Sequence, residues 1–250
     1  MRNAEKPIYL LAGGSRLRRK SSDPLIWEML RQVGHPEPSV AYIGSASGDD
    51  LWFFKAIKAL FKQSGAGRVD LAELADTDSN LCKAQALLQS ADILFFSGGD
   101  VELGMKILHE RGVLQLIHKQ FRAGAVLGGL SAGSILLAQQ WIRWRDPEDD
   151  ATAEPFDCIG IAPLICDMHD EDEGWEELKA LLRLRQLEGE IGYGIPASAG
   201  LCIHPDNRVE AIGGEVHRFI FRDGRVVKTS DLCPGPRHCR ARRQGTVTMM

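Results

Sequence analysis

The 250-residue chain has no apolar run approaching the roughly 20 residues that a membrane-crossing helix needs. Its opening, MRNAEKPIYLLAGGS, lacks the long apolar stretch and small-residue cleavage site of a secretory signal. A cytoplasmic, reducing location and no membrane role are the expectation. Six cysteines occur (Cys82, Cys158, Cys166, Cys202, Cys233 and Cys239), yet no C-x-x-C pair. Several lie in apolar runs, where free cysteine behaves as a small hydrophobe, so neither a metal site nor a disulfide framework is expected. Only the tail pair Cys233 and Cys239 keeps that question open. G-x-G-x-x-G is missing, and so is a P-loop lysine at the right spacing, which leaves no nucleotide cofactor implied. From Asp146 to Glu177 there is no Lys or Arg at all, whereas Arg237, Arg240, Arg242 and Arg243 crowd the tail. That tail is short and lacks interleaved aromatics, which argues against nucleic-acid binding and for a frayed terminus. The acidic run reads as a solvated face or, in part, as the lining of a site for a cationic group.

What remains is a strand–helix rhythm. Short apolar runs (PIYLLAGG, SVAYIGSAS, RVDLAEL, ADILFFSGGD, GAVLGGLS) alternate with segments whose apolar residues recur at helical spacing (PLIWEMLRQVG, LWFFKAIKALFKQSG, NLCKAQALLQS, VELGMKILHERG, LQLIHKQFRAG). AGSILLAQQWI reads as a further helix, and IGIAPLICDM as a strand. Such alternation predicts an α/β three-layer sandwich, with a mostly parallel central sheet and helices on both faces. From about residue 190, short runs and turn signals such as RDGR predict a strand returning to that sheet and a small antiparallel meander at its edge. No linker or repeat interrupts the pattern, so residues 1–232 are read as one domain and 233–250 as a basic tail.

In parallel sheets, sites gather where strand carboxyl ends meet the following loops. Three glycine turns fall at such places: Gly13-Gly14-Ser15, Gly98-Gly99-Asp100 and Gly129 to Gly133. The first reads as tight strand-to-helix geometry, and the Arg16, Arg18, Arg19 and Lys20 that follow it as a solvated segment. The last has G-x-S-x-G spacing, with an apolar strand before Ser131 and a helix-forming stretch after it. That is the arrangement of a nucleophile elbow: small neighbours tolerate the bend and let the hydroxyl project. The helix N-terminus favours developing negative charge there. A serine hydroxyl needs a base. Of seven histidines, His169 follows a predicted strand and opens the acidic loop, at the rim of the sheet; His204 is a weaker second. The backbone N–H of Ala132 is one natural oxyanion donor, and the Gly98-Gly99 turn is a candidate for the other.

These residues together resemble the peptidase E and cyanophycinase family of serine peptidases, over most of the chain. ADILFFSGGD is similar to that family's strand and glycine turn, GLSAGS to its nucleophile elbow, and GIAPLICDMHDEDEGWEELKALL to the segment that supplies its histidine. The resemblance implies a glutamine-amidotransferase-like fold, Ser131 as nucleophile, His169 as base, Gly99 with Ala132 as oxyanion donors, a short peptide as substrate and a homodimer. Gly98, Asp100, Asp167, Asp170 and Ser198 complete the candidate site as substrate-contacting groups. Two positions depart from the family pattern. The family's triad glutamate aligns with Ala197, and the arginine that selects N-terminal aspartate aligns with Gly174, amid Asp170, Glu171, Asp172 and Glu173. Three readings of position 197 stay open: another carboxylate, Asp167 or Asp170, stands in; a Ser–His dyad works slowly; or activity is lost and the cleft binds a ligand or partner. Ser198 can hydrogen-bond an imidazole but supplies no charge. Aspartyl-dipeptidase specificity does not carry over, and a neutral or basic substrate suits the acidic loop better. A third hypothesis is an esterase of the α/β-hydrolase kind using His204.

Overall fold

The computed structural model describes residues 5–13, 23–146 and 148–235. Strands β1 (Ile8–Leu11), β4 (Ile93–Phe96) and β5 (Val126–Leu130) are buried at every position. A strand with no exposed residue must be covered on both faces. Side chains that alternate along a strand make this possible. Ile8 and Leu10 face one hydrophobic cluster, while Tyr9 and Leu11 face another. The same split sends Leu94 and Phe96 one way and Ile93 and Phe95 the other. Helices α3 (Leu81–Ser90), α4 (Val101–Glu110), α5 (Leu114–Arg122) and α6 (Ala132–Leu137) cover the first face. Helices α1 (Pro24–Arg31) and α2 (Leu51–Gln63) cover the second.

With β2 (Ser39–Ile43), β3 (Arg68–Ala72), β10 (Gly200–Ile203) and β11 (Val209–Ile212), these strands form a seven-stranded sheet ordered β11-β10-β1-β5-β4-β2-β3. The five strands from β1 to β3 run parallel, and β10 and β11 close one edge antiparallel. β5 is the central strand, so whatever follows Leu130 emerges at the middle of the sheet's carboxyl end. The predicted mixed sandwich is therefore the observed one. Among the described residues no helix is long and apolar enough to cross a membrane.

Two elements differ from the sequence reading. AGSILLAQQWI is not one helix: α6 stops at Leu137, and Gln140–Trp144 is strand β6, paired antiparallel with β7 (Ala153–Asp157). Ala138 takes an extended backbone (ψ 179°), and the aromatic, β-branched run Trp141, Ile142 and Trp144 favours a pleated surface. The strand predicted to return to the main sheet near residue 190, β9 (Ile191–Ile195), does not. It pairs parallel with β8 (Ile165–Met168) and antiparallel with β12 (His217–Arg222). With β13 (Arg225–Lys228) they form a separate four-stranded sheet under α7 (Glu176–Arg185), around Trp175, Leu178 and Phe219. The return to the main sheet is made by β10 instead. Gly14, Ser15, the Arg16–Lys20 cluster and the tail's arginines, with His238 and Cys239, lie outside the described residues. Cys82, Cys158, Cys166, Cys202 and Cys233 are unbridged.

Candidate active site

Ser131 follows β5 with φ 52° and ψ −123°, a conformation that a residue with a Cβ adopts only when its surroundings hold it there. They do. Its N–H donates to the Leu11 carbonyl at 2.8 Å, and its own carbonyl accepts from the Ser134 N–H at 2.8 Å. The buried Ser134 hydroxyl clamps the neighbouring strand, accepting from the Leu11 N–H at 2.9 Å and donating to the Leu11 carbonyl at 3.0 Å. A methyl group on Gly133 would overlap the Phe96 and Ser97 carbonyls, and one on Gly129 the Gly133 carbonyl. The two-residue glycine spacing is thus imposed by backbone crowding around the bend.

Helix starts elsewhere show what Ser131 does differently. Asp23, Asp50, Asn80 and Asp100 each accept a backbone N–H of the helix they open, the usual duty of an N-cap side chain. Ser131 holds that position for α6 and makes no such bond. Its Oγ sits 2.7 Å from Nε2 of His169. His169 leaves the end of β8 at φ 47°, and its N–H donates to the Ile195 carbonyl at 2.9 Å. Two sheets thus meet at one hydrogen bond: the large one carries the hydroxyl and the small one the imidazole.

The Gly98-Gly99 turn lies against this pair. A methyl group on Gly98 would stand 3.3 Å from the Ser131 Cβ. Gly99 has φ 142°, and any Cβ there would overlap the Ala46 carbonyl. That carbonyl also accepts the Asp100 N–H at 2.7 Å, while the Asp100 carboxylate accepts the Leu103 N–H at 2.7 Å and opens α4. Among the described residues, neither Gly99 nor Ala132 spends its backbone N–H on an acceptor.

The imidazole side is rich in carboxylates. Asp167 is 5% exposed. One of its oxygens accepts the Met168 N–H at 2.8 Å, and the other has no partner. Burial pushes this carboxyl up to about 7, with Glu177 reinforcing the shift. Asp170 is raised by burial and then by Glu173, with His169 pulling the other way. Glu177 is raised by burial and then by Asp170. Among the described residues, none of Asp167, Asp170 or Ser198 hydrogen-bonds the His169 ring. Ser198 adopts φ 68°, and its N–H donates to the Gly13 carbonyl at 2.7 Å.

One contact escaped sequence reasoning: the Ala197 N–H donates to the Glu171 carboxylate. A glutamate does arrive at position 197, from the loop after His169, and no local pattern announces that fold-back. His204 lies at the other end of the sheet. It follows Ile203, whose partner is Ile8 at the start of β1, and its ring pairs with Glu210 at 3.1 Å. That separation removes the esterase reading.

The sequence matches the description of peptidase family S51 over residues 9–209, most of the chain. The chain belongs to peptidase family S51. Membership makes it a peptidase, a hydrolase of peptide bonds. Among solved structures, this S51 chain is similar to a peptidase from an acI-B1 Actinobacterium, with TM-score 0.72 and 19% identity, covering 94% of this chain and 97% of that one. It is also similar to a protein assigned to peptidase E from Listeria monocytogenes EGD-e, with TM-score 0.60 and 20% identity, covering 83% and 98% respectively. At such identities the likeness is one of fold. No curated protein matches the chain.

Proposed function

We propose that the chain is a serine peptidase working through an acyl-enzyme on Ser131, with His169 as its base. The observation that carries this reading is the 2.7 Å contact between Ser131 Oγ and His169 Nε2, within reach for proton transfer. In the forward step Oγ attacks the scissile carbonyl carbon while Nε2 takes the hydroxyl proton. The tetrahedral oxyanion is received by the uncommitted N–H groups of Gly99 and Ala132, donors that need no reorganisation. Nε2 then gives the proton to the departing amine. Water, deprotonated by the same nitrogen, releases the acid and restores the serine. The imidazolium formed in between is stabilised by nearby carboxylate charge from the acidic loop, of which Asp170 interacts with His169. Short peptides are the substrate class, in line with the family.

Among the described residues no carboxylate hydrogen-bonds the imidazole, which favours a second reading, in which the cleft binds a ligand with catalysis impaired. Labelling with a fluorophosphonate separates the two. The peptidase reading expects covalent labelling of the wild type and none of Ser131→Ala. Equal labelling of both removes Ser131 as nucleophile, and no labelling of either leaves the binding role.

A further inference from the structure

We infer that Ser97 is a positioning residue, whose buried hydroxyl holds the Gly98–Gly99 peptide so that the Gly99 N–H is presented as an oxyanion donor. This role presupposes the serine-peptidase reading, in which Gly99 and Ala132 receive the oxyanion. Ser97 itself stands outside the dyad and outside that donor pair.

The turn needs such a grip because of its own freedom. Gly98 and Gly99 both lack a Cβ, so the peptide between them escapes most of the steric restriction that orients other peptides. Its flanks are pinned: the Ser97 N–H donates to the Ile43 carbonyl at 3.0 Å, and the Asp100 N–H to the Ala46 carbonyl at 2.7 Å. Neither bond involves the peptide unit that carries the Gly99 N–H. Half a turn of that unit, through ψ of Gly98 and φ of Gly99, leaves both anchors in place and points the N–H elsewhere.

One bond does hold the unit. The Ser97 hydroxyl donates to the Gly98 carbonyl at 3.2 Å, and among the described residues no backbone N–H shares that acceptor. A trans peptide carries its C=O and N–H on opposite edges. Ser97 is 0% exposed, so binding the carbonyl there turns the N–H away from the interior, in a turn that lies against Ser131. No water competes for a hydroxyl at that depth, which strengthens its hold. Further hydroxyls surround it. Ser47 Oγ lies 3.3 Å from Ser97 Oγ and donates to the Gly44 carbonyl at 3.0 Å. Burial holds the Tyr42 hydroxyl above its ordinary pKa, which keeps it a proton donor beside the two serines. With both serine protons committed to carbonyls, the Ser97 oxygen remains an acceptor for that donor.

The test is the rate of fluorophosphonate labelling in the wild type, Ser97→Ala, Ser97→Thr and Ser45→Ala, each checked for folding by thermal melting. The phosphonyl oxygen of the probe takes the oxyanion's place, so the rate reads the donors. Removing such a donor outright costs roughly 100- to 1,000-fold, and loosening one is expected to slow Ser97→Ala about tenfold or more. Ser97→Thr keeps the hydroxyl and should return the rate to within about threefold of the wild type. Ser45→Ala removes an equally buried hydroxyl that has no partner, and should label at the wild-type rate. If Ser97→Ala does not fold, Ser97→Cys, which fills the space with a weak donor, is read in its place. Wild-type labelling in the folded Ala or Cys variant overturns the inference, as does an equal loss in Ser45→Ala or a folded Ser97→Thr as slow as Ser97→Ala. Should the wild type not label, the dyad reading fails by itself, and the peptide is read in crystals of the wild type and the folded Ser97 variant. A Gly98–Gly99 peptide turned over, or split between two orientations, in the variant alone then upholds the inference. The same single orientation in both overturns it.

Discussion

Ser131 and His169 meet at 2.7 Å but reach that point by opposite means. The serine stands on the central strand of a seven-stranded sheet, where every residue of β5 is buried and the bend is wedged between carbonyls. The histidine stands on a small second sheet and opens a loop in which Glu171, Asp172, Glu173 and Gly174 are all exposed. Even the helix beyond it, α7, starts on a left-handed Trp175 with no side-chain cap. One half of the pair is set by packing; the other sits among partly buried carboxylates. Position is fixed where the backbone is crowded, and charge is concentrated where it is not.

The largest effect tests whether the two halves act as a unit. Ser131→Ala and His169→Ala are each expected to lower kcat/KM by about a thousandfold or more, and the double variant little further, because groups that share one proton transfer are not additive. Steady-state kinetics on a short-peptide substrate checks this. If the double variant multiplies the two losses, the hydroxyl and the imidazole work independently, and the comparison loses its centre.

The electrostatic half is next. Burial raises the Asp167 carboxyl to about 7, against roughly 3.9 in the unfolded chain. Between those values the native chain binds a proton that the unfolded chain has released. This group's contribution to stability is therefore greatest below about pH 4, falls as pH rises toward 7, and is flat above, a total on the order of 4 kcal/mol. Asp167→Asn is expected to remove that slope, so that denaturant midpoints of variant and wild type diverge in the variant's favour from pH 4 to pH 8. Parallel curves would show that the carboxyl titrates normally. The packing half should be silent in the same experiment, since Ser131 and Ser134 carry no charge there.

Gly133→Ala tests the packing half. Its methyl group has nowhere to go but into two backbone carbonyls, and a cost of about 3 kcal/mol is expected, visible as a lowered thermal midpoint. Fluorophosphonate labelling should slow with it, because the bend that presents Oγ has to shift. An alanine on the exposed Gly174 is the matched control. Nothing lies within 4 Å of its added methyl group, so only the strain of its φ of 71° is charged, about 1 kcal/mol.

This division also explains what the sequence disclosed. What local backbone demands govern was legible: the buried strands, the glycine turns, and Ser131 between Gly129 and Gly133. His169 could be chosen because it ends an apolar run. What stayed hidden depends on contacts between distant segments. Trp141 and Ile142 continue an apolar pattern compatible with a helix, and only pairing with Pro155 and Phe156 makes them a strand. β9 reads as another buried strand, and nothing in IGYGI says which sheet will take it. The Glu171 carboxylate reaches Ala197 across 26 positions, through a loop whose composition alone suggests a solvated surface.

The smallest effect lies at Asp100, beside the turn that faces the dyad. Its carboxylate accepts the Leu103 N–H at 2.7 Å, and losing such a cap costs about 1 kcal/mol. Asp100→Ala should lower the thermal midpoint by that amount, and Asp100→Asn should restore it, since an asparagine oxygen caps as well. The same pair reads any contact with substrate separately. If the carboxylate's charge meets the peptide, KM moves in both variants; if the group only opens α4, KM is unchanged in Asp100→Asn and any change in Asp100→Ala follows the frayed helix. A charge effect here would put electrostatic selection on the crowded side of the dyad as well, and the contrast between the two halves would then hold for geometry alone.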